Sequence, residues 1–124
     1  IMASELRVNT LKDASGNNSV AVSTVFNGSA KVYAERTVDA TPATISSFNV
    51  ASMTDTGTGD TGYNLTSALD DANGPVAGTN SSTSGDRGIL GKYTTASQMR
   101  SLTRNSSDAD TDRAVSVIGY GDLA

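Results

Sequence analysis

Ser4-Glu5-Leu6-Arg7-Val8-Asn9-Thr10-Leu11-Lys12 runs into Asp13-Ala14-Ser15-Gly16-Asn17-Asn18 and out again along Ser19-Val20-Ala21-Val22, and the whole stretch reads as strand, turn, strand. Leu6, Val8 and Thr10 share one face of an extended segment, with Arg7, Asn9 and Leu11 on the other, which is the period-two pattern of a half-buried strand. The reversal lies between the two runs. Gly16 and the asparagines tolerate positive φ, and Asp13 and Ser15 can bond their own backbone. The second strand is expected from Ser19 to Val25.

The same alternation returns along the chain. Phe26-Asn27-Gly28-Ser29 signals a turn, after which Ala30, Val32 and Ala34 alternate. Ile45 to Val50 reads as a strand with Phe48 and Val50 on one face, and Phe48 is expected in the core. Asp55 to Asp60, with glycines at 57 and 59, reverses the chain into a strand over Tyr63 to Ala68. Gly78 to Gly88 has hardly an apolar residue and reads as a long loop. Ile89 to Tyr93 is a short strand. In Ser97 to Arg104, Met99 and Leu102 have helical spacing but fall on opposite faces of a strand. Strand is preferred there, because Asn105 to Asp112 reads as a hairpin loop into Arg113 to Ile118, the clearest strand of all.

Composition narrows the classes. At 124 residues the chain is one domain, or one domain with an arm. Two Phe, four Tyr, no Trp and 36% hydrophobic residues make a thin core. With no Cys and no metal-ligand cluster, the common remedy is a core shared between copies. Phe26, Phe48, Leu65, Val115, Val117 and Ile118 are the bulky candidates. A net charge of −4 and scattered basic residues argue against nucleic acid, Arg100 and Arg104 being the one close pair of interest. About a quarter of the residues are Ser or Thr, which disfavours helix. No run reaches membrane-spanning length, and no apolar leader core follows Met2-Ala3-Ser4, so neither a membrane nor the general secretory route is expected.

His and Cys are both absent, which removes the commonest general base, transition-metal ligand and thiol nucleophile together. Asp70-Asp71 and Asp108, Asp110 and Asp112 offer carboxylates for a glycosidase pair, yet neighbouring Asp in loops are ordinarily turn formers. Asp108-Ala109-Asp110-Thr111-Asp112 has the alternation that opens a calcium loop, but the required Gly and the later Glu do not follow. No enzyme activity is expected, and no catalytic residue, metal or cofactor.

The opening hairpin, the phrases Ser47-Phe48-Asn49-Val50, Thr56-Gly57-Thr58-Gly59-Asp60 and Ser67-Ala68-Leu69-Asp70-Asp71-Ala72-Asn73, and the closing Gly119-Tyr120-Gly121-Asp122 resemble small fibre-type virion proteins of tailed bacteriophages, marine and cyanobacterial ones in particular. The resemblance does not extend well into residues 30 to 44 or 76 to 95. Thr61-Gly62 stands where those proteins more often carry a strand-forming pair, so the register after Asp60 is left open. The resemblance implies an all-β fold, a small antiparallel β-sandwich knob over residues 26–124 with an extended N-terminal attachment arm over 1–25. It also implies a homotrimer located on the virion.

On this reading Leu6, Val8 and Leu11 of the arm fill pockets on another virion protein. Asn80, Ser81 and Ser82 of one loop, with Asp108, Asp110 and Asp112 of the other, face outward, either to touch a host-surface glycan or simply as a soluble tip. The rival is a capsid-decoration or cement protein whose arm adds a strand to a neighbouring shell subunit. A free carbohydrate-binding module is a third reading, against which Tyr33, Tyr63, Tyr93 and Tyr120 are widely spread in the sequence.

Overall fold

The computed structural model describes residues 4–37, 41–80 and 87–124. Among them the chain forms β1 (Thr10–Lys12), β2 (Ser19–Ala21), α1 (Val22–Gly28), β3 (Val32–Arg36), β4 (Thr44–Phe48), β5 (Val50–Gly57), β6 (Asp60–Leu65), β7 (Val76–Asn80), β8 (Arg87–Thr95), β9 (Gln98–Arg104) and β10 (Val115–Gly119). Two four-stranded antiparallel sheets result, in the orders β4-β3-β10-β7 and β5-β6-β9-β8, and β1 and β2 pair with each other as a separate hairpin.

The two large sheets face each other through the side chains that alternation turns inward. From the first come Val32 and Ala34 of β3 and Val115 and Val117 of β10. From the second come Tyr63 and Leu65 of β6, Tyr93 of β8 and Met99 of β9, with Leu69 closing the cluster. The fold is therefore the expected all-β sandwich, with a smaller-residue core than the sequence suggested. Leu65, Val115 and Val117 are buried as expected. Phe26 and Phe48 are not: they are 46% and 53% exposed. Ile118 is half-buried on the outer face, opposite Tyr33.

Polar groups in this interior are mostly paired. Tyr63 Oη and Ser101 Oγ share a hydrogen bond of 3.0 Å, and burial pushes the Tyr63 phenol above its ordinary range. Thr103 Oγ1 donates to the carbonyls of Gly59 and Thr111. The exceptions are Tyr93 Oη and two nitrogens of Arg36, a residue only 1% exposed: Arg36 Nε and Nη2 are buried without a hydrogen-bond partner, although its charge acts on the Tyr63 hydroxyl.

Several elements depart from the sequence reading. The run from Leu6 is not one long strand, since β1 begins only at Thr10. The second strand ends at Ala21 rather than Val25, and α1 takes over through the expected turn at Phe26 to Ser29 and across the anticipated boundary at 25/26. Seven residues rich in β-branched side chains have weak helix propensity, and Ala21 makes no side-chain cap. What ties down the helix end comes from just beyond it: buried Lys31 donates to the Phe26 and Ser29 carbonyls and lies 4.3 Å from the Phe26 ring centroid.

Ile45 to Val50 is broken at Asn49, whose φ of 58° lies in the left-handed region. There the chain swings from the first sheet to the second. The Asn49 amide spans the step, donating to the Lys31 and Ser67 carbonyls at 3.0 Å each and accepting from the Ser67 N–H at 2.7 Å. The next strand starts at Asp60 and stops at Leu65, earlier than the expected Tyr63 to Ala68. Its register is settled by pairing with β5, which takes up bulges at Val50/Ser52 and Asp55/Gly57. Gly78 to Asn80 belong to β7 and Arg87 and Gly88 to β8, so the expected long loop is shorter at both ends.

Ser97 to Arg104 is the anticipated strand, with Met99 buried and Leu102 on the opposite face. Asn105 to Asp112, however, does not join paired strands: it turns back only as far as an isolated antiparallel bridge between Arg104 and Asp110. β9 and β10 belong to different sheets, so the segment crosses from one to the other.

Candidate binding surface

Each sheet turns one face outward, and the two outer faces are built differently. On β5-β6-β9-β8 the polar side chains satisfy one another. Asn64 Nδ2 donates to Ser52 Oγ at 3.0 Å and Thr54 Oγ1 at 2.9 Å, Gln98 Nε2 donates to Asn64 Oδ1 at 2.9 Å, and Thr94 Oγ1 donates to Gln98 Oε1 at 2.7 Å. Asp60 and Arg100 add a two-pronged ion pair, with Nε to Oδ1 at 2.5 Å. Hydrogen bonding from the Arg100 guanidinium holds the Asp60 carboxyl below the usual carboxylate range.

On β4-β3-β10-β7 two parallel rows cross the strands. Register places Phe48 beside Tyr33, Tyr33 beside Ile118, and Ile118 beside Ala77. One step along, Ser46, Glu35, Ser116 and Thr79 stand in line in the same way. The Tyr33 and Phe48 rings stack with centroids 6.0 Å apart and planes 21° apart, and Tyr33 is 43% exposed. A shallow depression of about 370 Å³ covers the centre of this face, between Tyr33, Glu35, Ser46, Thr79, Ser116 and Ile118. None of the side chains of Tyr33, Glu35, Ser46, Thr79 or Ser116 makes a hydrogen bond or ion pair to another described residue. The sequence reading missed this surface, because Tyr33 and Phe48 are fifteen positions apart and only strand pairing makes them neighbours.

The residues singled out from sequence are distributed otherwise. Leu6, Val8 and Leu11 are exposed, at 80%, 39% and 44%, around the β1-β2 hairpin. The hairpin's turn is built as anticipated. Gly16 has φ of 72°, the Asp13 carboxylate accepts from Ser15 Oγ at 2.9 Å, the Asn17 N–H at 3.1 Å and Asn18 Nδ2 at 2.7 Å, and these bonds, Ser15's foremost, lower the Asp13 pKa.

Asn80 ends β7, while Ser81 and Ser82 lie outside the described residues. Asp108 and Asp110 are exposed and Asp112 is half-buried, and each also has a partner within the protein. Arg104 reaches Asp108 at 3.7 Å and Asp110 at 3.1 Å, and Asp112 Oδ1 accepts the Gly59 N–H at 2.7 Å. The crossover is tied to the rest of the protein through these carboxylates, while Asp108 and Asp110 stay at the surface. Asp71 is likewise occupied, accepting from the Asn73 N–H and side-chain amide at 2.9 Å each. Of the four tyrosines, Tyr63 and Tyr93 are core residues. Among the described residues no set of three acidic side chains is placed to hold a metal ion, and no helix is long and apolar enough to cross a membrane.

Comparison of the chain with protein families, with curated proteins and with solved structures returned no match. The functional reading therefore rests on the residues and on the surfaces described above.

Proposed function

We propose that this protein is a non-enzymatic structural component of a bacteriophage virion, of the tail-fibre type, held to the particle by its N-terminal arm and projecting its sandwich outward as a homotrimer. The observation that carries the proposal is the separateness of the arm. The β1-β2 hairpin pairs only with itself among the described residues, and together with the segment that leads into it presents Leu6, Val8 and Leu11 to solvent while the sandwich closes its core without them. Exposed apolar side chains on a detached hairpin suit insertion into another protein's pockets. Val25 and Phe26 of α1 and Ile45 of the edge strand β4 are also exposed, and they offer apolar area for contacts between copies. Other virion proteins, further copies of the chain and a host-surface glycan are the partners on this reading, without nucleic acid, membrane or cofactor.

The free edges of the two-stranded hairpin favour a second placement as well. Each edge carries unpaired N–H and C=O groups to which a strand can be added. A capsid-decoration protein would use that edge to clamp a neighbouring shell subunit. Copy number separates the two, a few fibre positions against hundreds of lattice positions.

Deleting residues 2–18 is the test. The expected result is a folded sandwich that no longer joins particles, with light scattering of the full chain giving the trimer mass. Normal incorporation of the truncated protein would overturn the attachment role, and a folded monomer at micromolar concentration would overturn the trimer.

A further inference from the structure

From the outer face of β4-β3-β10-β7 we infer a glycan-binding site for neutral, hexose-type oligosaccharides, in which Tyr33 and Phe48 stack on the sugar rings and Glu35, with the hydroxyls beside it, accepts and donates hydrogen bonds to the sugar hydroxyls. This names the ligand and the site for the host-contact part of the reading above, and moves that contact from the loops to a sheet.

A pyranose is amphiphilic in a specific way. Its axial C–H bonds make an apolar face that packs on aromatic rings, while its hydroxyls radiate from the rim. The sheet presents the complement of both. The apolar row and the polar row lie two residues apart along the strands, about 7 Å at the rise of an extended chain. That is the span from the face of a sugar ring to its outlying hydroxyls. Across the strands, neighbouring positions are about 4.8 Å apart, close to the length that one pyranose adds to an extended glycan. An oligosaccharide laid perpendicular to the strands therefore meets a fresh pair of side chains at each residue, Phe48 with Ser46, Tyr33 with Glu35, and Ile118 with Ser116.

Charge decides between a glycan and a second copy of the chain. Glu35 is the one ionised side chain that these four strands turn outward among the described residues, Arg36 being directed into the core. Packing two copies through this face would desolvate two carboxylates with no cation on either side, which is strongly unfavourable. A sugar instead brings hydroxyl donors and leaves Glu35 partly wet. The same carboxylate, on a chain of net charge −4, selects against acidic polysaccharides. The other face of the molecule is unsuited to the task, since its Asn64, Gln98 and Thr94 side chains already bond one another.

The experiment is amide chemical-shift mapping on the free, full-length protein with cellotetraose, maltotetraose, mannotetraose and an acidic control, tetragalacturonate. The expected result is that at least one neutral tetrasaccharide shifts the amides of β3, β4 and β10 with a Kd on the order of 1 mM, and that tetragalacturonate does not. Tyr33→Ala and Phe48→Ala should each weaken binding about tenfold, and Glu35→Gln should weaken it less while leaving the spectrum of the free protein otherwise unchanged. Absence of shifts with all three neutral sugars, shifts mapping to another surface, or unaltered binding by both aromatic variants would overturn the inference. Shifts of the same amides on raising protein concentration without sugar would overturn it too, by assigning the face to a second copy. Particle incorporation is not measured here, so failure of the glycan site leaves the attachment reading intact, and the reverse.

Discussion

The two outer faces of this sandwich are made from similar residues and put them to opposite uses. On β5-β6-β9-β8, Ser52, Thr54, Asn64, Gln98 and Thr94 form a connected ladder and Asp60 pairs with Arg100, so the hydrogen-bonding capacity of that surface is consumed within the protein. On β4-β3-β10-β7, the side chains of Ser46, Glu35, Ser116 and Thr79 stand beside stacked rings and bond none of the described residues. The difference teaches that a Ser- and Thr-rich composition is not by itself a sign of a passive surface. What matters is whether the polar groups are already engaged, because only an unengaged group gains a partner at little cost when a ligand arrives.

Stability changes should therefore concentrate on the first face and its turn. Gly59 is the sensitive position of that turn, with a φ of 71° and backbone oxygens of Thr103 and Thr111 at 2.6 and 2.7 Å from where a Cβ would sit. Gly59→Ala should cost about 3 kcal/mol, seen as a lower denaturation midpoint with an unchanged urea slope. Asn64→Ala removes the middle of the ladder and leaves Gln98 and Ser52 without their partner, for an expected loss of about 1–2 kcal/mol in the same measurement.

Asp60→Asn should cost about 1 kcal/mol at neutral pH, and it carries a pH signature. The folded pKa of Asp60 is lowered, so its contribution is fully present above the unfolded value near 4 and is lost as pH falls through the lower folded value. The variant's stability should therefore fall less steeply under acid than that of the parent. On the open face the effects should be smallest. Glu35→Gln should alter stability by no more than about 0.5 kcal/mol, and a larger loss there would show that this face is engaged after all.

Strand identity was legible where alternation was strong. Val32 and Ala34, Met99 against Leu102, and Val115 and Val117 all fall as the period of two requires. Alternation gives two faces but does not say which one is covered, and Phe48 was placed on the wrong side for that reason. Its neighbours Ser46 and Ser47 are equally small and polar, so the pattern carries no preference there. Connections were harder still. A polar stretch such as Asn105 to Asp112 can turn a hairpin or cross between sheets, and the tether that distinguishes the two, the Gly59 N–H to Asp112, joins distant parts of the sequence. The α1 helix was illegible because it depends on Lys31 and not on its own propensity. The candidate site shares that limitation, being a product of register between β3, β4, β10 and β7.

The path of the chain into β3 also has a mechanical meaning. The arm leads through α1 directly into this strand, which is interior to its sheet and carries both Tyr33 and Glu35. A protein anchored by its arm and pulled through that face is loaded along β3. Five residue pairs to β10 on one side and four to β4 on the other then resist in parallel, as in shear, instead of yielding one at a time from an end. The same strand that displays Tyr33 and Glu35 is thus the one best placed to bear tension between an anchor and a tethered surface.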